Sequence, residues 1–218
     1  MTPTGMPLRG LPGHLLKATL LAAISVSLTA CSVALFPDKQ PQRQFTLPYQ
    51  FEADRAPGPA NSNLPVLKVE RPQASGLLGG KRIVLEVQPN ELAAYSAVRW
   101  TTDVPGLLRD HLVQALRADG RLGTVVSDAS GAGSQVTVSS ALLSFQEDRT
   151  GPRNAVHLHL QAQLIENGSR KPLATRDFRV KVPLGEQSIE GSVAAFGRAA
   201  DRLAAEAADW IASSLAEN

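Results

Sequence analysis

Every second position from Val156 to Leu164 is apolar: Val156, Leu158, Leu160, Ala162 and Leu164 alternate with His157, His159, Gln161 and Gln163. A period of two marks a strand with one buried and one wet face. Asn167-Gly168 follows as a turn, and Phe178, Val180 and Val182 then alternate with Asp177, Arg179 and Lys181. Residues 174–182 therefore read as the second strand of a hairpin. The strand before it, residues 135–145, changes parity, since Val136 and Val138 share one face while Leu143 and Phe145 share the parity of Ala141. One extra residue would do this, so a bulge is expected there. Shorter strand patterns come earlier, at Phe45-Thr46-Leu47, at residues 65–70, and at residues 82–87 after a Gly79-Gly80 turn.

Two stretches switch to the helical period. In the first, Asp103 is placed to cap free amides, Pro105 sits in the first turn and Gly120 supplies the stop. Leu108, Leu112 and Leu116, with Val113, form its apolar stripe over about four turns. The second runs from near Ser192 to Leu215, with Phe196, Leu203, Trp210 and Ile211 on one side and Arg198, Asp201, Arg202, Glu206 and Asp209 elsewhere. Both charge signs are mixed outside the stripe, which favours packing on a sheet over lying on lipid. The order is strands, helix, strand, three-stranded meander and long terminal helix. It predicts an α+β fold in which two helices pack on one face of a mostly antiparallel sheet.

The N-terminus departs from this pattern. Residues 1–17 carry Arg9 and Lys17 and no acidic residue, and an apolar run over residues 18–28 follows. That layout is a secretory signal, too short for a bilayer-spanning helix of roughly 20 residues. The run ends in Leu28-Thr29-Ala30-Cys31, which resembles the lipobox of bacterial lipoproteins: an aliphatic residue, two small ones and a cysteine. Small side chains suit an extended backbone in a peptidase groove, and the thiol is the nucleophile that accepts a diacylglycerol. Cys31 is the sole cysteine, so an internal disulfide is impossible. The expectation is cleavage between Ala30 and Cys31, with Cys31 becoming an N-palmitoyl, S-diacylglycerol cysteine. Ser32 stands where an Asp would favour inner-membrane retention, which points to the periplasmic face of the outer membrane. Residues 1–30 are thus read as signal peptide, 31–44 as a flexible tether and 45–218 as one domain. Losing Arg9 and Lys17 takes the formal net charge from +2 to zero. No global field remains to draw nucleic acid.

Candidate chemistry is sparse. His157 and His159 share a strand face at a spacing compatible with a metal, but no nearby cysteine or acidic strand partner is evident, and a wet sheet face accounts for them. His111, between Asp110 and Leu112, is expected to face solvent. Residues 128–133 are glycine-rich, yet no Lys-Ser/Thr follows and a strand, not a helix, comes next, so a loop is expected instead of a phosphate cradle. No Gly-x-Ser-x-Gly elbow occurs. No catalytic residue, metal or cofactor is expected. Tyr95 and Trp100 are candidates for a partner surface, since large aromatics anchor interfaces. For Trp100 the competing reading is a core position where a strand meets the first helix.

Phe45-Thr46-Leu47, Leu67-Lys68-Val69, Arg82-Ile83-Val84, and above all Leu92-Ala93-Ala94-Tyr95-Ser96-Ala97-Val98-Arg99-Trp100 leading through Val104-Pro105 into Leu107-Leu108, resemble the ABC-type transport auxiliary lipoproteins. These are similar to PqiC-type partners of MCE (mammalian cell entry) lipid transport systems. Phe45 departs from the family's usual Tyr, losing a hydroxyl but not the strand. The resemblance implies a non-enzymatic adaptor, anchored in the outer membrane through Cys31. Its partners would be an MCE-domain protein with its inner-membrane ABC permease and ATPase, handling phospholipid or another hydrophobic molecule. Ring-like conduits in such systems also suggest a homo-oligomer. A stand-alone envelope-binding lipoprotein, for peptidoglycan or an assembly partner, is the second reading, and an envelope hydrolase with a clustered Ser or Asp/His site the third.

Overall fold

The computed structural model describes residues 42–49 and 64–217. Residues 1–30, expected to be a signal peptide, Cys31, and the loop expected at residues 53–63 lie outside the described residues. Within them the elements are β1 (Arg43–Phe45), β2 (Leu67–Val69), a 3₁₀ turn (Gly76–Gly79), β3 (Val84–Gln88), β4 (Glu91–Ala94) and β5 (Val98–Trp100). Helix α1 (Val104–Asp119), β6 (Val125–Ser127), β7 (Val136–Asp148), β8 (Ala155–Glu166), β9 (Pro172–Pro183) and helix α2 (Ile189–Ala216) complete the order.

The meander forms as the alternation predicts: β8 pairs antiparallel along one whole edge of β7, and β9 pairs antiparallel with β8. The bulge is also present. Register slips between Leu142 and Ser144, and the extra residue, Leu143, is 46% exposed while Leu142 and Phe145 are buried. The other edge of β7 is shared. β2 runs parallel to its start and β3 parallel to its end, with Gln73 bridging to Ala141 between them. β6 extends β2 in parallel and β4 extends β3 antiparallel, while β1 and β5 form a separate parallel pair.

The expectation of a mostly antiparallel sheet therefore fails: the sheet is mixed, and four of the seven strand pairings among the described residues are parallel. Alternation shows which face a strand buries but not which distant segment lies beside it. Parallel neighbours need crossovers. Here the parallel partners are far apart in the chain, with α1 lying between β2 and its partner β6 and the 3₁₀ turn between β1 and its partner β5. β1 starts at Arg43, inside the segment expected as tether.

Local signals fix the helices. The Asp103 side chain accepts from Gly106 N at 2.9 Å, and Gly120 takes φ of 74°, the left-handed stop. α2 starts three residues before the expected Ser192, because Ser188 caps it by accepting from Gly191 N at 3.0 Å. Leu108, Leu112 and Leu116 of α1, Phe196, Leu203 and Ile211 of α2, and the apolar faces of β7, β8 and β9 belong to one core. At its centre Trp100 meets Phe196 edge-on at 5.5 Å, and Phe145 lies 4.6 Å from Phe196. Such ring pairs each contribute about 0.5–1.5 kcal/mol beyond their buried area.

His111 is buried, not solvent-facing as expected. Its Nε2 lies 2.9 Å from Asp201 on α2, and its ring meets Tyr49 edge-on at 5.1 Å. Burial pushes its pKa below the ordinary histidine value, opposed by Asp201.

The N-terminal strap passes across α2 at Gly197, where a Cβ would lie 2.9 Å from both Cβ and O of Pro48. Backbone cannot yield cheaply there. Gly197→Val is expected to destabilise the protein by about 1–3 kcal/mol, the usual cost of overpacking. Urea unfolding of the variant beside wild type checks this, and equal midpoints would show that the strap does not pack on α2.

Candidate functional site

Glu147 continues the core-facing parity of Phe145 at the end of β7, and its side chain has no solvent exposure. A carboxylate without water must be surrounded by donors. Tyr95 Oη donates to Oε2 at 2.6 Å and Ser192 Oγ to the same oxygen at 2.6 Å. Arg149 Nε donates to Oε1 at 2.7 Å and Asn154 Nδ2 at 2.9 Å. Burial raises the Glu147 pKa, but Arg149, Ser192 and Tyr95 outweigh it and hold the carboxyl below the usual range.

The donors come from separate parts of the fold. Tyr95 stands in the β4–β5 turn, where Tyr95 N donates to Ile83 O and Ala97 adopts φ of 57°. Arg149 and Asn154 flank the β7–β8 turn, and Ser192 lies on the buried side of α2. Arg149 also reaches Tyr95 Oη at 2.5 Å and lies over its ring at 5.0 Å. Burial, followed by Glu147, raises the tyrosine pKa. A carboxylate held charged by four donors is a weak base. It does not draw the proton off Ser192, so the cluster acts as a lock between elements and not as an activated nucleophile.

Tyr95 lies between two cavities. One, of about 240 Å³, is lined by the Glu147 cluster together with Leu184 and Gln187. The other, of about 460 Å³, lies between the 3₁₀ turn and β5 and is lined by Lys81, Arg82 and Arg99 as well as Tyr95. A third hollow of about 340 Å³ sits on the wet sheet face among Ser139, Gln161, Gln163 and Asp177.

The remaining sequence candidates disperse. Trp100 is fully buried between Phe145 and Phe196, so its ring offers nothing to a partner. His157 and His159 do have acidic neighbours across the strands, contrary to expectation: Asp148 at 3.3 Å and Asp177 at 3.2 Å respectively. These are separate pairs, and no group of three or more metal-ligating side chains forms among the described residues. The Asp128 carboxylate accepts from Arg71 N at 3.0 Å and Arg109 at 2.8 Å, which pins the start of the glycine-rich loop. Cys31 and Ala30 lie outside the described residues. No helix among the described residues is long and apolar enough to cross a membrane.

The family model for the ABC-type transport auxiliary lipoprotein component matches residues 45–208. The chain belongs to that family. Auxiliary lipoproteins of this kind are defined by a part in transport and not by a reaction. The fold is similar to that of a solved protein from Xanthomonas campestris, at 22% identity and a TM-score of 0.65, over 80% of this chain and 94% of that one. A second solved structure, of an uncharacterized protein, aligns at 18% identity and a TM-score of 0.62, over 79% and 99% of the two chains. A comparison with curated proteins found no match.

The family match spans Tyr95, the smaller cavity beside it, all of the larger one's lining except Gln42, and most of α2. Of the site residues, only Tyr95 was singled out from sequence. Glu147 carried a usable signal, since a carboxylate two residues after Phe145 on one strand falls on the buried face. Ser192 likewise precedes Phe196 by one helical turn.

Glu147→Gln is expected to destabilise the protein by about 3 kcal/mol near pH 7, because Arg149 loses its charge partner and a donor is forced against donors. Glu147 has a depressed folded pKa, so its contribution is present above the unfolded carboxylate range and is lost as pH falls through the folded value. The gap between wild type and variant should accordingly narrow on acidification. Tyr95→Phe should cost about 1 kcal/mol. Chemical unfolding across a pH series measures all three, and a constant gap would mean the carboxylate is not held charged.

Proposed function

We propose that this protein is a periplasmic adaptor, anchored in the outer membrane by lipid on Cys31, that docks on an MCE-domain protein. An inner-membrane ABC permease and ATPase would drive that machine. The observation that carries the reading is the family match over residues 45–208, which makes the chain an auxiliary component of ABC-type transport. The sequence supports the anchor: Leu28-Thr29-Ala30-Cys31 closes an apolar run of signal length, and Ser32 favours sorting outward. The geometry is compatible with an adaptor, because the polar cluster around Glu147 ties β7, the β4–β5 turn and α2 together. Phospholipid or another hydrophobic molecule is the cargo of the machine, and this chain contributes surfaces instead of bond-making groups.

Two measurements test the reading. Tagged protein crosslinked in intact cells is expected to copurify with an MCE-domain protein, and its absence from the crosslinked material would count against the adaptor role. Cys31→Ser is expected to leave a soluble periplasmic form that no longer supports envelope integrity. Full support by that form would remove the anchor from the mechanism.

A further inference from the structure

We propose that the cavity bounded by Lys81, Arg82 and Arg99 binds the phosphate group of an anionic ligand. The proposal extends the transport reading only where the phosphate is that of a lipid headgroup.

Among the described residues three cations and no carboxylate line this cavity of about 460 Å³. Among the described residues none of the three lies within ion-pair distance of an acidic side chain. Arg43, Arg71, Arg109, Arg121 and Arg149 are each matched to a carboxylate; Arg153, Arg170 and Arg202 are not, but they line none of the cavities described, whereas Lys81, Arg82 and Arg99 share one. The chain after the signal is formally neutral, so three unmatched cations around one hollow are a local excess. Like charges that line one hollow repel, and a multivalent anion bound there would relieve that repulsion.

The backbone that carries the donors is tied together: Arg82 precedes β3, Arg99 lies in β5, and Trp100 N donates to Lys81 O at 2.8 Å. Lys81 Nζ is steadied by Thr101 O at 3.1 Å, one of the three bonds an ammonium can donate. Arg99 Nε is buried and has no hydrogen-bond partner among the described residues. Arg99 lines the cavity, and a guanidinium can donate side by side to two oxygens of a tetrahedral phosphate. Leu77 and Val98 add apolar wall to the same cavity, room for the first carbons of an ester.

The test uses the full chain in micelles of an uncharged detergent, with calorimetric titration of two probes: inorganic phosphate, and dihexanoyl phosphatidylglycerol below its own micelle concentration. Saturable binding of both is expected if the phosphate group suffices. Binding of the lipid alone supports the site with a headgroup as its source. In either case Lys81→Gln with Arg82→Gln, both exposed positions, should weaken binding by about tenfold or more, as loss of charge-assisted hydrogen bonds requires. Arg99→Gln should do the same if its melting temperature is unchanged, and if it melts early the exposed pair decides. Absence of saturable binding by either probe, or unchanged affinity in the exposed pair variant, overturns the proposal. Failure here would leave crosslinking to an MCE-domain protein unaffected, and failed crosslinking would leave phosphate binding intact.

Discussion

A carboxylate sealed from water is tolerable only if the surrounding structure delivers donors to both of its oxygens, and Glu147 imposes that demand at the point where most of the fold converges. Tyr95 arrives from the β4–β5 turn, Arg149 and Asn154 from either side of the β7–β8 turn, and Ser192 from α2. Satisfying one charge thus fixes the relative placement of the sheet edge, the central strand and the terminal helix. The apolar core alone would permit small slides between these layers, because burial has no direction. Hydrogen bonds to a fixed carboxylate do not.

That lock explains how Tyr95 can be both half-buried and central to two hollows. Its hydroxyl is committed to Glu147 and Arg149, while its ring forms a partition. On one side the polar groups are mutually satisfied. On the other, Lys81, Arg82 and Arg99 remain unmatched. The tyrosine thus gives the cationic hollow one fixed wall, held by the closed network on its other side. Membership in an auxiliary transport family agrees with a molecule whose chemistry lies in surfaces.

Much of the architecture was legible in the alternation itself. β8 and β9 followed from period two, the bulge at Leu143 from a parity change, and α1 from Asp103 and Gly120. What the pattern could not show was adjacency. β4 spans four residues and β5 three, too few for a period to register, and nothing local in Leu67-Lys68-Val69 says that it lies beside Val136. His111 was misplaced because its fate depends on Asp201 across two helices. The cationic hollow was hidden for the same reason: Lys81 and Arg82 meet Arg99 only when β5 folds back past the 3₁₀ turn. Cys31 remains a reading of sequence alone.

The two edges of β7 also imply an order of assembly. On the β8 side its partners follow through short turns, so pairing closes small loops. On the β2 and β3 side, Val136 must find Leu67 and Gln146 must find Val84, segments that left the ribosome much earlier. The entropy of closing those long loops is met only after β7 exists as a template. Loop-closure entropy therefore favours the meander forming first, and until the N-terminal strands dock, β7 carries one bare edge capable of pairing with a neighbouring chain. During that interval the bare edge is the part of the chain most open to pairing with a second copy.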